Sequence, residues 1–242
     1  MTEKKLSPLK HLGNFVLNLF FPINCLGCLK EGFWLCEKCF RKLKLTDKTA
    51  AQYNLSTPFL KDVFIAGDYD NLLLAELIKK FKYDSIIKIG PILGRFLNLF
   101  WNGKIISIGL ENPEQKQVLE NSLVIPLPLT KKRLKRRGFN QAEIIARIFS
   151  AEFTMELNLD LKKIGQKQPQ ASLSGQKRLK NVIGTFIVKK TEKTIKPFKT
   201  LAGKNIILID DVATTGATLN EAAKILKEHG AKEVYGLVIA KG

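Results

Sequence analysis

Histidine is almost missing from this chain: His11 and His229 are its only two. One falls in a prospective N-terminal helix and the other at the end of a late helix, so no histidine acid/base pair and no Ser-His or Cys-His triad can be assembled. Hydrolysis of that kind has no support. G-x-x-x-x-G-K-[ST] occurs nowhere in the chain, which removes the phosphate loop of the P-loop ATPases. No stretch reaches about eighteen consecutive apolar residues, so no transmembrane helix is expected. Residues 6–21 do carry a basic flank and an apolar run, but Pro22-Ile-Asn-Cys25 follows where a secretory leader would have small residues. We read this segment as an amphipathic helix packing on the next module, and the protein as cytoplasmic. Acids are scarce as well, 22 against 40 Lys and Arg, for a formal charge of +18. Such an excess points to an anionic partner, namely a nucleotide, pyrophosphate or nucleic acid. The alternative is a lysine-rich coding bias with a solvated surface.

Cysteine is confined to one short window, as Cys25-x-x-Cys28 and Cys36-x-x-Cys39. Paired C-x-x-C knuckles put two thiolates on each of two tight turns, the arrangement a tetrahedral metal site needs, and structural zinc is the expected occupant. Two disulfides or a redox C-x-x-C are the rivals, the first disfavoured because nothing points to secretion. A module this small buries little, so the metal would supply its stability. Phe33 and Trp34 could cover the site or stack on a base.

At 242 residues and 45% apolar content, the chain is long enough for one full domain and an accessory module. We place the metal module at 1–45 and an α/β domain at 58–242. Hydrophobic periodicity predicts a strand at 63–69, helices at 72–81 and about 86–101, a strand at 122–128 ended by prolines, a helix at 141–149, and strands at 157–164 and 184–188. Residues 105–120 read as an ambiguous, partly polar insertion. Between the strand at 122–128 and the next helix, residues 131–137 hold six cations in seven positions before Gly138. Such a run reads as a solvated face, a nucleic-acid patch or, directly after a sheet strand, a pyrophosphate-binding loop. Residues 168–178 have loop composition and are a candidate lid.

The most informative stretch is 206–218. Residues 206–209 form an unbroken apolar run, expected to be a strand of a parallel sheet buried on both faces. Asp210 and Asp211 follow, then the small, hydroxylated Val-Ala-Thr-Thr-Gly-Ala-Thr218 and a helix from Leu219. Ligands bind at this end of an open α/β sheet. Backbone N–H groups and hydroxyls of Thr214, Thr215, Gly216, Ala217 and Thr218 can converge on a phosphate. The two carboxylates are then placed for the vicinal hydroxyls of an attached sugar.

This stretch resembles the signature of type I phosphoribosyltransferases, which bind 5-phosphoribosyl 1-pyrophosphate (PRPP). With the cysteine knuckles, Val-Ile-Pro-Leu-Pro, Arg-Arg-Gly-Phe-Asn-Gln and Gln-Lys-Arg178, the pattern over about 20–240 resembles the ComF family. The resemblance implies a mostly parallel sheet flanked by helices, preceded by a zinc-ribbon-like element, and for some members a part in the uptake of single-stranded DNA during natural transformation. It assigns Asp210 and Asp211 to the ribose hydroxyls and Thr214–Thr218 to the 5-phosphate. Arg133, Arg136, Arg137 and Gly138 fall on the pyrophosphate side, with Arg178 closing from the lid and Mg2+ bridging pyrophosphate and ribose oxygens. Purine-salvage relatives carry an aspartate where Thr214 stands, so that identity is disfavoured and the acceptor nucleophile stays open. Two functions follow: a phosphoribosyltransferase holding PRPP or ribose 5-phosphate, or a nucleic-acid-binding adaptor that keeps the fold without turnover and works with the DNA-uptake machinery.

Overall fold

A computed structural model describes residues 22–53, 55, 57–164, 186–189 and 201–242. The N-terminal helix expected at 6–21, the candidate lid with Arg178, and most of the connector before the last strands lie outside the described residues. Two compact units divide the chain, 1–44 and 45–242.

In the first unit the chain doubles back through an antiparallel bridge between Asn24 and Glu31. Cys25 donates its N–H to Lys30 O at 2.9 Å and Leu29 donates to Cys25 O at 2.8 Å. Positive φ values at Leu29 and Gly32 close this first knuckle. The second forms where Cys36 caps a one-turn helix, α1 (Glu37–Phe40).

The second unit is built on four parallel strands in the order β1-β6-β5-β2, with β1 at Asp62–Asp68, β2 at Leu123–Pro126, β5 at Ile206–Ala213 and β6 at Val234–Lys241. Side chains alternate across a sheet. One face therefore carries Val63, Ile65, Leu123, Ile125, Ile206, Leu208 and Val238, all packed in one core with Leu219, Ala222 and Leu226. Those last three belong to α7 (Ala217–Glu228). A two-stranded antiparallel piece, β3 (Leu161–Lys163) with β4 (Phe186–Val188), adds Leu161 and Phe186 to this core. On the opposite face lie Phe64, Val124, Ile207 and Ile209. There Trp101 meets Phe64 edge-on at 5.4 Å and Phe149 at the same distance.

Trp101 sits on α3 (Gly90–Glu111) and Phe149 on α6 (Gln141–Glu152). Two glycines within α3 have a packing reason. A Cβ on Gly90 would approach Ile144 Cγ2 to 2.7 Å, and one on Gly94 would meet Ile148 Cγ2 at the same distance. One turn apart, the two glycines let α6 press into α3. The insertion at 105–120 is helical: α3 runs to Glu111, and α4 (Pro113–Glu120) is capped by Asn112, whose side chain accepts from Gln115 N at 2.9 Å. Residues 72–83 form α2 (Leu72–Tyr83), capped by Asn71. The strand expected at 157–164 is shorter, because Asn158 and Asp160 make a turn after a single bridge from Leu157 to Val124. Among the described residues, no helix is long and apolar enough to cross a membrane.

Candidate functional site

Residues 131–137, read as a solvated face, a nucleic-acid patch or a pyrophosphate-binding loop, form a two-turn helix, α5 (Lys131–Arg137). Thr130 caps it by accepting from Arg133 N, and Gly138 ends it at φ 80° with its N–H on Leu134 O. The cap and the αL glycine make helix possible despite the like charges, which are solvated along the exposed face. After this turn the side chain of Asn140 donates to Leu127 O at 3.2 Å instead of capping α6. The N-terminal N–H groups of α6 thereby go uncapped by the Asn140 side chain.

The acids lie inside β5, which continues to Ala213 rather than stopping at residue 209. Alternation then sends Asp210 to the face of Leu208 and α7, and Asp211 to the face of Ile209, α3 and α6. Their surroundings differ accordingly. Asp211 Oδ1 receives the Lys82 ammonium at 2.9 Å, with only 15% of the lysine side chain exposed. Asp210 accepts the Asp211 N–H at 2.8 Å. Burial, and next the adjacent Asp211, push the Asp210 carboxyl up to about 8, against the pull of Lys82. Lys163 is drawn below its ordinary value by burial and then by Arg133, with Asp210 acting in the other direction.

These groups surround a cavity of about 170 Å3 at the C-terminal end of the sheet. Asp210, Asp211, Thr218, Arg133 and Arg137 line it, as do Lys82, Gln141 and Lys163, which sequence reasoning does not single out. Arg137 donates to Gln141 Oε1 at 3.1 Å and lies over the Tyr83 ring at 5.5 Å. Gln141 is only 1% exposed, and its Nε2 and the Nε of Arg137 find no partner among the described residues. Buried donors left open in this way are satisfied by a ligand or water. Arg136 is exposed and does not line the cavity.

Thr214 and Thr215 are exposed in the turn after β5, Gly216 is buried and Ala217 half-buried. Gly216 caps α7 at φ 77° without a side-chain hydrogen bond. Thr215 Oγ1 accepts from Ala217 N at 3.3 Å. Of this loop only Thr218 reaches the cavity wall. The cavity thus has the N-terminus of α6 on one side and the start of α7 on another, with cations predominating between them.

In the first unit the four cysteine sulfurs lie within 4.8 Å of one another. Cys25, Cys36 and Cys39 are buried and Cys28 exposed. Burial would raise the Cys25 thiol, but N–H groups of Cys36, Gly27 and Cys28 outweigh it and hold it at about 6. Burial first, then the neighbouring sulfurs, push Cys39 up to about 12. Ligand sulfurs at about 2.3 Å from a tetrahedral zinc stand about 3.8 Å apart, and the cluster fits that spacing. These four residues could hold a metal ion such as zinc.

The model of the family "phosphoribosyl transferase domain" matches residues 134–241, the span from α5 through the loop to β6. Competence protein F of Haemophilus influenzae is 31% identical over 221 residues, covering 89% of this chain and 90% of that one. Competence protein ComFC of Streptococcus pneumoniae is 30% identical over 68% of this chain and 61% of its own length. DNA utilization protein YhgH of Escherichia coli K12 is 27% identical over 87% of this chain and 92% of that protein. With a competence protein matched along nearly the whole of both chains, and a phosphoribosyl transferase domain carrying the Asp210–Asp211 strand and its loop, this chain belongs to the ComF family.

Proposed function

We propose that the chain binds PRPP together with Mg2+ and transfers or recognises its phosphoribosyl group. The observation that carries this reading is the composition of the cavity: two adjacent strand carboxylates in a chamber whose other charged lining residues are Lys82, Arg133, Arg137 and Lys163. Acids repel phosphate, so their partners are sugar hydroxyls. The cations, the open donors of Gln141 and the two helix N-termini take the anionic ends, the 5-phosphate at α7 and the pyrophosphate at α6. Two carboxylates among amides and cations offer no all-protein cage, which suits a hard cation held mainly by the ligand's own phosphate oxygens. When bound, Mg2+ neutralises charge on the leaving pyrophosphate. As the C1–pyrophosphate bond loosens, the protein's own groups position the ribose and stabilise the departing charge. In this reading residues 58–242 form the ligand domain, residues 1–45 hold one structural zinc, and the protein works in the cytoplasm.

Calorimetric titration with PRPP and Mg2+, followed by measurement of pyrophosphate release against a panel of amines and bases, tests the proposal. Binding with release supports transfer, and binding without release supports recognition alone. No binding by the intact protein refutes both.

The exposed side chains of Lys131, Lys132, Lys135 and Arg136 favour a second activity. With a net charge of +18, the chain is expected to bind single-stranded DNA with steep salt dependence, as fits the competence and DNA-utilization names of its relatives.

A further inference from the structure

We propose that Lys82 is a positioning residue for the sugar end of this cavity: its ammonium engages Asp211 Oδ1 and so fixes the carboxylate whose second oxygen receives a ribose hydroxyl. The inference rests on the reading of the cavity as a phosphoribosyl site and adds a residue to it.

Strand alternation creates the need for such a group. Asp211 points away from the face shared by Asp210 and Lys163, toward the helices, where an isolated carboxylate would be buried without a counter-ion. Lys82 answers from the last turn of α2, where the negative end of the helix dipole favours a cation. The pair is direct at 2.9 Å and shielded, with side-chain exposures of 15% and 8%. Surface ion pairs hold geometry poorly because water and long side chains compete. A shielded pair has no such competition, and removing one member strands the other. A carboxylate can accept several hydrogen bonds, so a contact with one ammonium leaves capacity for a ligand hydroxyl. Both Lys82 and Asp211 line the cavity. Tyr83, the next residue, stacks under Arg137, so the end of α2 is anchored on both sides.

The test uses the full chain with ribose 5-phosphate, 2-deoxyribose 5-phosphate and inorganic phosphate as probes. Wild type is expected to prefer ribose 5-phosphate over the deoxy sugar by about tenfold or more, the factor that one hydrogen bond to a charged group supplies. In Lys82→Met that preference should collapse while phosphate affinity stays within about twofold, and Lys82→Arg should recover part of it. Lys82→Met/Asp211→Asn removes both charges, guards against misfolding, and should lose the preference to the same extent as Lys82→Met. Equal weakening of all three probes in Lys82→Met would make Lys82 a phosphate contact and overturn the proposal, as would an undiminished preference. If wild type binds none of the sugar phosphates, the phosphoribosyl reading itself fails and this proposal falls with it.

Discussion

Replacing Asp210 by asparagine should change how stability depends on pH, and the direction follows from the position of this residue. In the folded chain burial, then the neighbouring Asp211, push its carboxyl up to about 8. In the unfolded chain it returns to about 3.9. Between those values the folded protein holds a proton that the unfolded chain has lost, so wild-type stability falls as pH rises across this window. The slope is at most about 1.4 kcal/mol per pH unit, and it vanishes below the unfolded value and above the folded one. The asparagine side chain cannot titrate, is nearly isosteric and can still accept the Asp211 N–H. The stability of Asp210→Asn relative to wild type should therefore rise by about 2–4 kcal/mol between about pH 5 and about pH 8. Equilibrium urea unfolding of both proteins at each pH unit, followed by circular dichroism, reads this difference, and groups titrating alike in both cancel. A difference that stays flat across the window would mean that Asp210 is ionised in the folded chain. The cations of the cavity would then govern it, and burial as the controlling force would be refuted.

Gly216→Ala should destabilise the chain by about 1–2 kcal/mol for the αL conformation alone, and by more because its Cβ would stand 2.6 Å from Thr57 Cγ2. A thermal midpoint equal to wild type would contradict the loop geometry. Purified protein should contain about one equivalent of zinc, and chelation should unfold the first unit. Metal analysis with hydrogen exchange on residues 22–44 checks this. Arg137→Gln should weaken PRPP binding, because Arg137 lines the cavity. Arg136→Gln should spare PRPP and lower affinity for single-stranded DNA, since Arg136 is exposed outside it. Identical effects of the two substitutions on PRPP would remove the distinction.

The parts of this molecule legible in its sequence are those where one local rule decides the outcome. An unbroken apolar run at 206–209 can only be a strand covered on both faces, and two C-x-x-C pairs can bring four sulfurs together without reference to the rest of the chain. At 131–137 the charge run leaves the local structure undecided, and Thr130 and Gly138 decide it by capping a helix at both ends. Gly103 and Gly109 obscure the helix at 105–120, together with Ile106 and Leu110 on its exposed side. Lys82 is invisible for a different reason. It is one lysine among three in an amphipathic helix, and nothing local separates it from solvated Lys79. Only the sheet, by bringing the end of β5 to the end of α2, gives it a partner 129 positions away.

That long-range pairing also changes what the adjacent acids are. Read along the chain, Asp210 and Asp211 look like two copies of one function. A strand cannot use neighbours so, because consecutive side chains leave its opposite faces. The partner on one face is a shielded ammonium, 2.9 Å from Asp211 Oδ1. On the other face burial and the charge of Asp211 push the Asp210 carboxyl up to about 8, which favours its protonated form. A carboxylate only accepts hydrogen bonds, while a protonated carboxyl also donates one. Each hydroxyl of a vicinal diol does both. With its carboxyl pushed up, Asp210 can donate to a ligand hydroxyl while Asp211, from the other face, accepts, and ionisation of Asp210 would give the pair two full charges. The pH dependence of the Asp210→Asn difference and the sugar preference lost in Lys82→Met read those two halves separately.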